Sequence, residues 1–324
     1  MPCNTYFCVQ INRILKRYES AEAFESDLPT VVTIGTFDGV HLGHRKIIER
    51  LILTAEERDL ESVILTFFPH PRMVLQSDSN IKLINTIEER IQILSETGLN
   101  HLVVQPFTKE FSRFTAEEYV REILVDQLSS GHVIIGYDHR FGRNRNANIT
   151  HLATFGMQYQ FTVEEISKQD VENVAVSSTK IRTALDDGDI QRANRYLGYS
   201  FLLTGTVVKG RELGRTMKYP TANLHIEETY KIIPKNGVYI VKSCIDQRTY
   251  YGMMNIGTNP TVGGTERTIE AHFFDASFNL YDKKIQIQVL ERIRDEKHFS
   301  SVEDLKTAMQ KDEDFSRDYI NSVL

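Results

Sequence analysis

Tryptophan is absent from the 324 residues, cysteine occurs three times and proline eight times. Cys3, Cys8 and Cys244 are odd in number and show no C-x-x-C spacing, which argues against a disulfide framework or a structural zinc site. No segment approaches the roughly 20 apolar residues that span a bilayer, and the first residues lack a signal-peptide layout. A reducing cytoplasm without membrane attachment is therefore the expectation. Excess positive charge is also missing. A net charge of −6 provides little to neutralise a nucleic-acid backbone, although the basic spot at 140–145 can meet a small phosphorylated ligand. No internal repeat or low-complexity tract interrupts the chain. What remains is ordinary globular composition, 41% hydrophobic and 25% charged, at a length that suits two domains.

Two rhythms divide the sequence. Residues 31–34, 63–68, 102–105, 133–136 and 161–166 are short apolar runs separated by helical patterns such as Ile47, Ile48, Leu51, Ile52 and Ala55. Strands spaced by helices predict a parallel sheet covered on both faces. Thr86 with Glu89, and Thr115 with Glu118, form capping-box pairs, and Gly98 sits where the first of these helices should stop. Beyond 198, strand-like runs at 202–208, 237–244, 250–256, 268–274 and 284–290 follow one another, with no helical pattern until 300–309. That order predicts a small antiparallel β-barrel closed by a C-terminal helix. The expected fold class is α/β: a Rossmann-like domain over 1–198, ending in a connector helix at 187–197, and a barrel domain over 199–324.

Directly after the first strand stands Gly35-Thr36-Phe37-Asp38-Gly39-Val40-His41-Leu42-Gly43-His44, and a helix follows. In an open parallel sheet, ligands bind beyond the carboxyl ends of the strands, near helix N-termini whose free N–H groups favour phosphate. The glycines allow close backbone approach, and His41 and His44 can donate to phosphate oxygens as charge builds. Taken alone, an H-x-x-H pair also has structural readings, and no third ligand supports zinc. Ser178 and Thr179 at a helix start, with Arg182 one turn in, form a phosphate clamp or a plain helix cap. The ten-residue string resembles the nucleotidylyltransferase superfamily in the form found in FAD synthetases. The resemblance extends to Phe68-Pro69-His70-Pro71, to the loop from Gly136 to Gly142, and to Ser177-Ser178-Thr179-Lys180-Ile181-Arg182. It implies adenylylation of FMN by ATP, with pyrophosphate released. His41, His44 and Arg182 would be catalytic. Gly35, Phe37, Asp38, Gly39, Ser178 and Thr179 would join them around ATP, and His70, Asp138 and Phe141 would lie on the flavin side.

The second half has no P-loop and no protein-kinase signature. It carries Gly205-Thr206-Val207-Val208-Lys209-Gly210-Arg211-Glu212-Leu213-Gly214-Arg215, then Tyr219-Pro220-Thr221-Ala222-Asn223. Together with the stretches beginning at Pro234, Asn255, Thr268 and Ile293, this resembles the riboflavin kinase family. The resemblance implies ATP contacts from Gly210, Gly214, Tyr219, Pro220, Thr221 and Asn223, with Mg²⁺ at Thr221 and Asn223. It also implies Glu270 as general base and Arg294 beside the flavin. A carboxylate suits the base role, since it can take the proton of an attacking hydroxyl. Lys218 and Tyr219 stand where this family usually has Gly-Phe. His139 replaces an aromatic, and Asn144 and Asn146 replace glycines, in the flavin loop. The order of motifs matches the bacterial bifunctional family that makes FMN from riboflavin and then FAD. Its expected partners are small molecules, as a monomer or weak homo-oligomer. Alternatives are a transferase with an idle barrel and a flavin-binding regulatory paralogue.

Overall fold

The computed structural model describes residues 14–76, 80–137, 139–167, 176–210, 219–261, 264–276 and 279–323. The chain divides into two compact units, Met1–Ile81 with Ile87–Val176, and Lys82–Thr86 with Ser177–Leu324.

In the first unit the strands are β1 (Lys16–Tyr18), β2 (Thr30–Ile34), β3 (Glu61–Phe68), β4 (His101–Pro106), β5 (Ser130–Gly136) and β6 (Thr162–Ile166). They form one sheet in the order β1-β4-β3-β2-β5-β6, every neighbouring pair parallel. β2 is buried at all five positions, which is why it reads as a continuous apolar run and not an alternating one. The helices are α1 (Leu42–Glu57), α2 (Pro71–Leu75), α3 (Ile87–Ser95), α4 (Ala116–Glu118) with a π-helical continuation Tyr119–Gln127, and α5 (Ile149–Tyr159). Thr115 caps α4 in the expected box: its hydroxyl accepts from the Glu118 N–H at 3.2 Å, and the Glu118 carboxylate accepts from the Thr115 N–H at 2.8 Å. Gly98 follows α3 with φ +86°, the left-handed conformation that suits glycine at a helix stop. One strand escaped the sequence reading. β1 is three residues long and polar, and it pairs with β4 at the sheet edge.

The second unit opens with α6 (Ser178–Asp187) and α7 (Ile190–Leu197). A closed barrel follows, built from β7 (Phe201–Val208), β8 (Ala222–His225), β9 (Gly237–Ile245), β10 (Arg248–Thr261), β11 (Gly264–Phe273) and β12 (Lys284–Arg294). Its order is β10-β11-β8-β7-β12-β9, antiparallel throughout. β8 is the strand the five-run reading lacked. The C-terminal helix, α8, spans Val302–Val323, more than twice the expected 300–309. Its second half buries Asp312, Ser316 and Ile320 one turn apart, and two polar residues in that stripe hid the periodicity. The short segment 82–86 is hydrogen-bonded into this unit. Leu83 donates to the Tyr230 carbonyl and accepts from the Ile232 N–H, at 2.7 and 2.8 Å.

Candidate active sites

The turn between β2 and α1 holds three residues at positive φ: Phe37 (+46°), Gly39 (+90°) and Val40 (+35°). Glycine takes such values cheaply, whereas a β-branched valine does so only when the surroundings enforce it. Both Phe37 and Val40 are buried, so core packing fixes the bend. The bend delivers His41 to the N-cap of α1, where its Nδ1 accepts from the His44 N–H at 3.3 Å. The two imidazoles stack with centroids 3.7 Å apart and planes 16° from parallel, and Phe37 meets the edge of His44 at 5.1 Å. A Cβ at Gly43 would press on the His41 ring at 3.2 Å, so the glycine leaves room for the stack. Burial, then the neighbouring His41 and the Arg90 guanidinium, hold the His44 imidazole well below the usual histidine range. His44 is thus neutral at pH 7, at a helix start that attracts anions. Asp38 lies buried inside the same turn.

Other first-unit candidates are placed less openly. His70 caps α2, its Nδ1 accepting from the Arg72 N–H at 3.1 Å. Phe141 is a buried core side chain, beside His139 at 6.1 Å and Tyr119 at 5.9 Å. Asp138 lies outside the described residues. Sequence reasoning missed Arg90, which is only 1% exposed and donates to the Thr66 hydroxyl at 3.3 Å. Its spacing of three and four residues from the buried Ile93 and Leu94 was the signal that could have placed it on the inward face of α3. Ser178, Thr179 and Arg182 belong to α6 in the second unit. There Ser177 is the cap, accepting from the Lys180 N–H at 3.3 Å, and Arg182 Nε donates to the Lys82 carbonyl at 2.8 Å.

In the barrel, four expected residues come together. Register pairs Asn223 on β8 with Glu270 on β11, and Glu270 in turn with Asn255 on β10. Thr221 Oγ1 donates to Glu270 Oε2 at 3.4 Å. A Cβ at Gly210 would run into the Asn223 amide nitrogen, so any other residue there would have to displace that amide. Tyr219 and His272, two residues along β11 from Glu270, meet edge-on at 5.1 Å. His272 Nδ1–H donates to the Pro220 carbonyl at 2.8 Å. Arg294 is engaged with α8: Nε donates to Asp312 Oδ1 at 2.9 Å and Nη2 to Oδ2 at 2.6 Å. Gly214 and Lys218 lie outside the described residues. Sequence reasoning assigns no role to His272 or to the acidic side of α8. The first was legible as a same-face neighbour of Glu270, the second only from the fold.

Comparisons with known proteins also divide the chain in two, with the first match running into α6. The FAD synthetase family model matches residues 23–180, and the riboflavin kinase model matches 197–320. The bifunctional riboflavin kinase/FMN adenylyltransferase of Buchnera aphidicola subsp. Schizaphis graminum is 36% identical over 298 residues, covering 91% of this chain and 95% of that protein. The Escherichia coli K12 protein of the same description is 33% identical over 290 residues, 89% and 92% of the two chains. A solved structure from Streptococcus pneumoniae, described as a macrolide-efflux protein, superposes with TM-score 0.85 at 29% identity, covering 94% of this chain and 99% of that one. Among the described residues of this chain, no helix is long and apolar enough to cross a membrane.

Proposed function

This chain belongs to the bifunctional riboflavin kinase/FMN adenylyltransferase family, and from that premise we infer how its two residue sets build FAD. Riboflavin is phosphorylated to FMN in the C-terminal domain, and FMN is adenylylated to FAD in the N-terminal one. ATP is the donor in both steps of this reading. We draw the functional boundary at 198, so that α6 and α7 serve the transferase, in keeping with a family match that runs into α6.

In the transferase step an FMN phosphate oxygen attacks the α-phosphorus of ATP, and pyrophosphate leaves. No enzyme nucleophile is needed, so positioning and charge stabilisation carry the rate. His41 and His44 face the charge that builds on the reacting phosphates. Ser178, Thr179 and Arg182 hold the triphosphate, Gly35, Phe37, Asp38 and Gly39 shape its site, and His70, Asp138 and Phe141 border the flavin. In the kinase step the terminal ribityl hydroxyl attacks the γ-phosphorus, Glu270 accepts its proton, and ADP leaves. Gly210, Gly214, Tyr219 and Pro220 line the nucleotide, and Arg294 stands on the flavin side. Thr221 and Asn223 offer oxygen donors beside a carboxylate, which suits Mg²⁺. Among the described residues no three His, Cys, Asp or Glu form a cage, so a Mg²⁺ here would share its coordination with ATP oxygens and neutralise their charge. A cytoplasmic enzyme, monomeric or weakly associated, working on small molecules alone, completes the reading.

The observation that carries it is the survival of both chemical sets: a stacked imidazole pair at a helix start, and a hydroxyl on a carboxylate beside Asn223. Neither the idle-barrel nor the regulatory alternative has an observation in its favour. Incubation with riboflavin, ATP and Mg²⁺, followed by chromatography of the flavins, should show FMN first and then FAD. Absence of FMN from riboflavin, or of FAD from supplied FMN, would remove the corresponding half.

A further inference from the structure

The Thr221–Glu270 pair is tied to the C-terminal helix by a continuous chain of contacts. Tyr219 Oη donates to Glu313 Oε2 at 3.0 Å and approaches Gln310 Oε1 at 3.2 Å, both on α8. Glu313 is itself held: Arg317 Nε donates to its Oε1 at 2.9 Å. Arg317 is pinned in turn by Asp275, just past β11, at 2.9 and 3.1 Å, and lies over the Phe274 ring at 4.7 Å. On the other side of Tyr219, the Pro220 carbonyl accepts from His272, whose strand carries Glu270. The ring of Tyr219 is 8% exposed and sits in an apolar cluster with Val238, Ile240, Met253 and Phe274. A buried hydroxyl in such a cluster must find an acceptor, and here α8 supplies it. Burial and the Glu313 hydrogen bond push the Tyr219 phenol up to about 12, so it remains a donor across the working pH range. Where the kinase family usually has phenylalanine, this chain has a hydroxyl with a built-in anionic partner.

We propose that Glu313 is a positioning residue for the kinase step. Through the Tyr219 hydroxyl it fixes the Pro220–Thr221 segment that leads into β8, and with it the distance from the Thr221 hydroxyl to the Glu270 carboxylate. The inference rests on the kinase reading of Glu270 given above. Glu313 touches no substrate in this role; it sets the geometry of groups that do. Misplacement by a fraction of an ångström acts on turnover more than on binding.

The test compares the unaltered chain with Glu313→Ala, Glu313→Gln, Tyr219→Phe and the double variant Glu313→Ala/Tyr219→Phe. Formation of FMN from riboflavin is measured by steady-state kinetics, with FAD formation from FMN in the same preparations reporting an intact first unit. Glu313→Ala should lower the kinase kcat about tenfold while the KM for riboflavin and for ATP stays within about twofold. Glu313→Gln, which keeps an oxygen acceptor, should recover most of the loss. Tyr219→Phe preserves the packed ring and removes only the hydroxyl, so it should match Glu313→Ala, and the double variant should fall no further. A kcat for Glu313→Ala within about twofold of the unaltered chain, a glutamine variant no better than alanine, or single losses that multiply would overturn the proposal. An unaltered chain that makes no FMN would instead remove the kinase reading, and the inference with it.

Discussion

Stacking two imidazoles at 3.7 Å brings their ring N–H groups together at a helix start, at the cost of crowding two groups that repel when both are charged. The protein resolves this by keeping His44 neutral through burial, with His41 and Arg90 adding to the effect. In the proposed transferase step an arriving triphosphate would reverse the balance, since its charge favours protonated imidazole. Replacing His44 by alanine should therefore abolish FAD formation from FMN and leave FMN formation from riboflavin largely intact. Glu270→Ala should do the opposite, lowering the kinase step by about 10²–10⁴-fold. Product analysis from each substrate separates the two, and equal damage to both activities in a folded protein would sink the assignment. Gly210→Ala is a sharper probe of the same site, because its methyl group would strike the Asn223 amide. Kinase turnover should collapse while FAD formation from FMN persists. Near-normal FMN formation would mean that Asn223 is not held where the phosphates bind. At this scale the sequence was informative wherever chemistry needs a fixed residue type at a fixed spacing. It was silent on Arg90, Glu313 and the positive φ of Val40, whose roles depend on what the fold packs around them.

Elements were legible where burial is uniform and opaque where polar groups are buried as pairs. β2, buried at every position, and the Thr115 cap could be read directly. The second half of α8 could not, because its inward stripe includes Asp312, neutralised by Arg294 only once the barrel brings the two together. The same blind spot covers two histidines of the parallel sheet. His101, at the start of β4, donates from Nε2 to Glu61 at 2.7 Å, and its buried Nδ1 has no hydrogen-bond partner among the described residues. Tyr18 and Phe24 pack on its ring, and Lys16 adds positive charge nearby. On β5, His132 Nδ1 accepts from Arg58 at 3.2 Å and lies 2.5 Å from the Thr162 hydroxyl, which leaves Nε2–H facing Glu164 at 3.5 Å, itself paired with Arg50. A second proton would reach Nδ1 of His101 without an acceptor, and Nδ1 of His132 against a guanidinium. Burial accordingly lowers both imidazoles below the ordinary value of 6.5, with Arg58 contributing at His132. A lowered histidine contributes stability that is complete above the unfolded value, about 6.5, and is lost as pH falls toward the folded one. Thermal unfolding of the first unit should therefore shift down between pH 7.5 and 5.5. The double variant His101→Gln/His132→Gln should show a smaller shift; an equal shift would place the acid sensitivity elsewhere.

For the whole molecule, the proposed reading gives each activity its own residue set, so neither activity should need the other's side chains. FMN is the product of one and the substrate of the other, and nothing in the chemistry of either step requires it to stay on the chain between them. His44 and Glu270 belong to different compact units, one built around the parallel sheet and one around the closed barrel, so a substitution at either leaves the core of the other unit in place. It follows that two crippled chains should complement each other in solution. Mixed in equal amounts with riboflavin and ATP, the His44→Ala chain supplies FMN and the Glu270→Ala chain converts it to FAD, although neither alone makes FAD from riboflavin at a useful rate. The time course should show FMN accumulating before FAD, with a lag that shortens as either chain is added in excess. A mixture that accumulates FMN but forms no FAD, while the Glu270→Ala chain still converts supplied FMN, would show that the kinase product is withheld from the bulk. A mixture that makes neither product would show that the two substitutions do not act on separate centres.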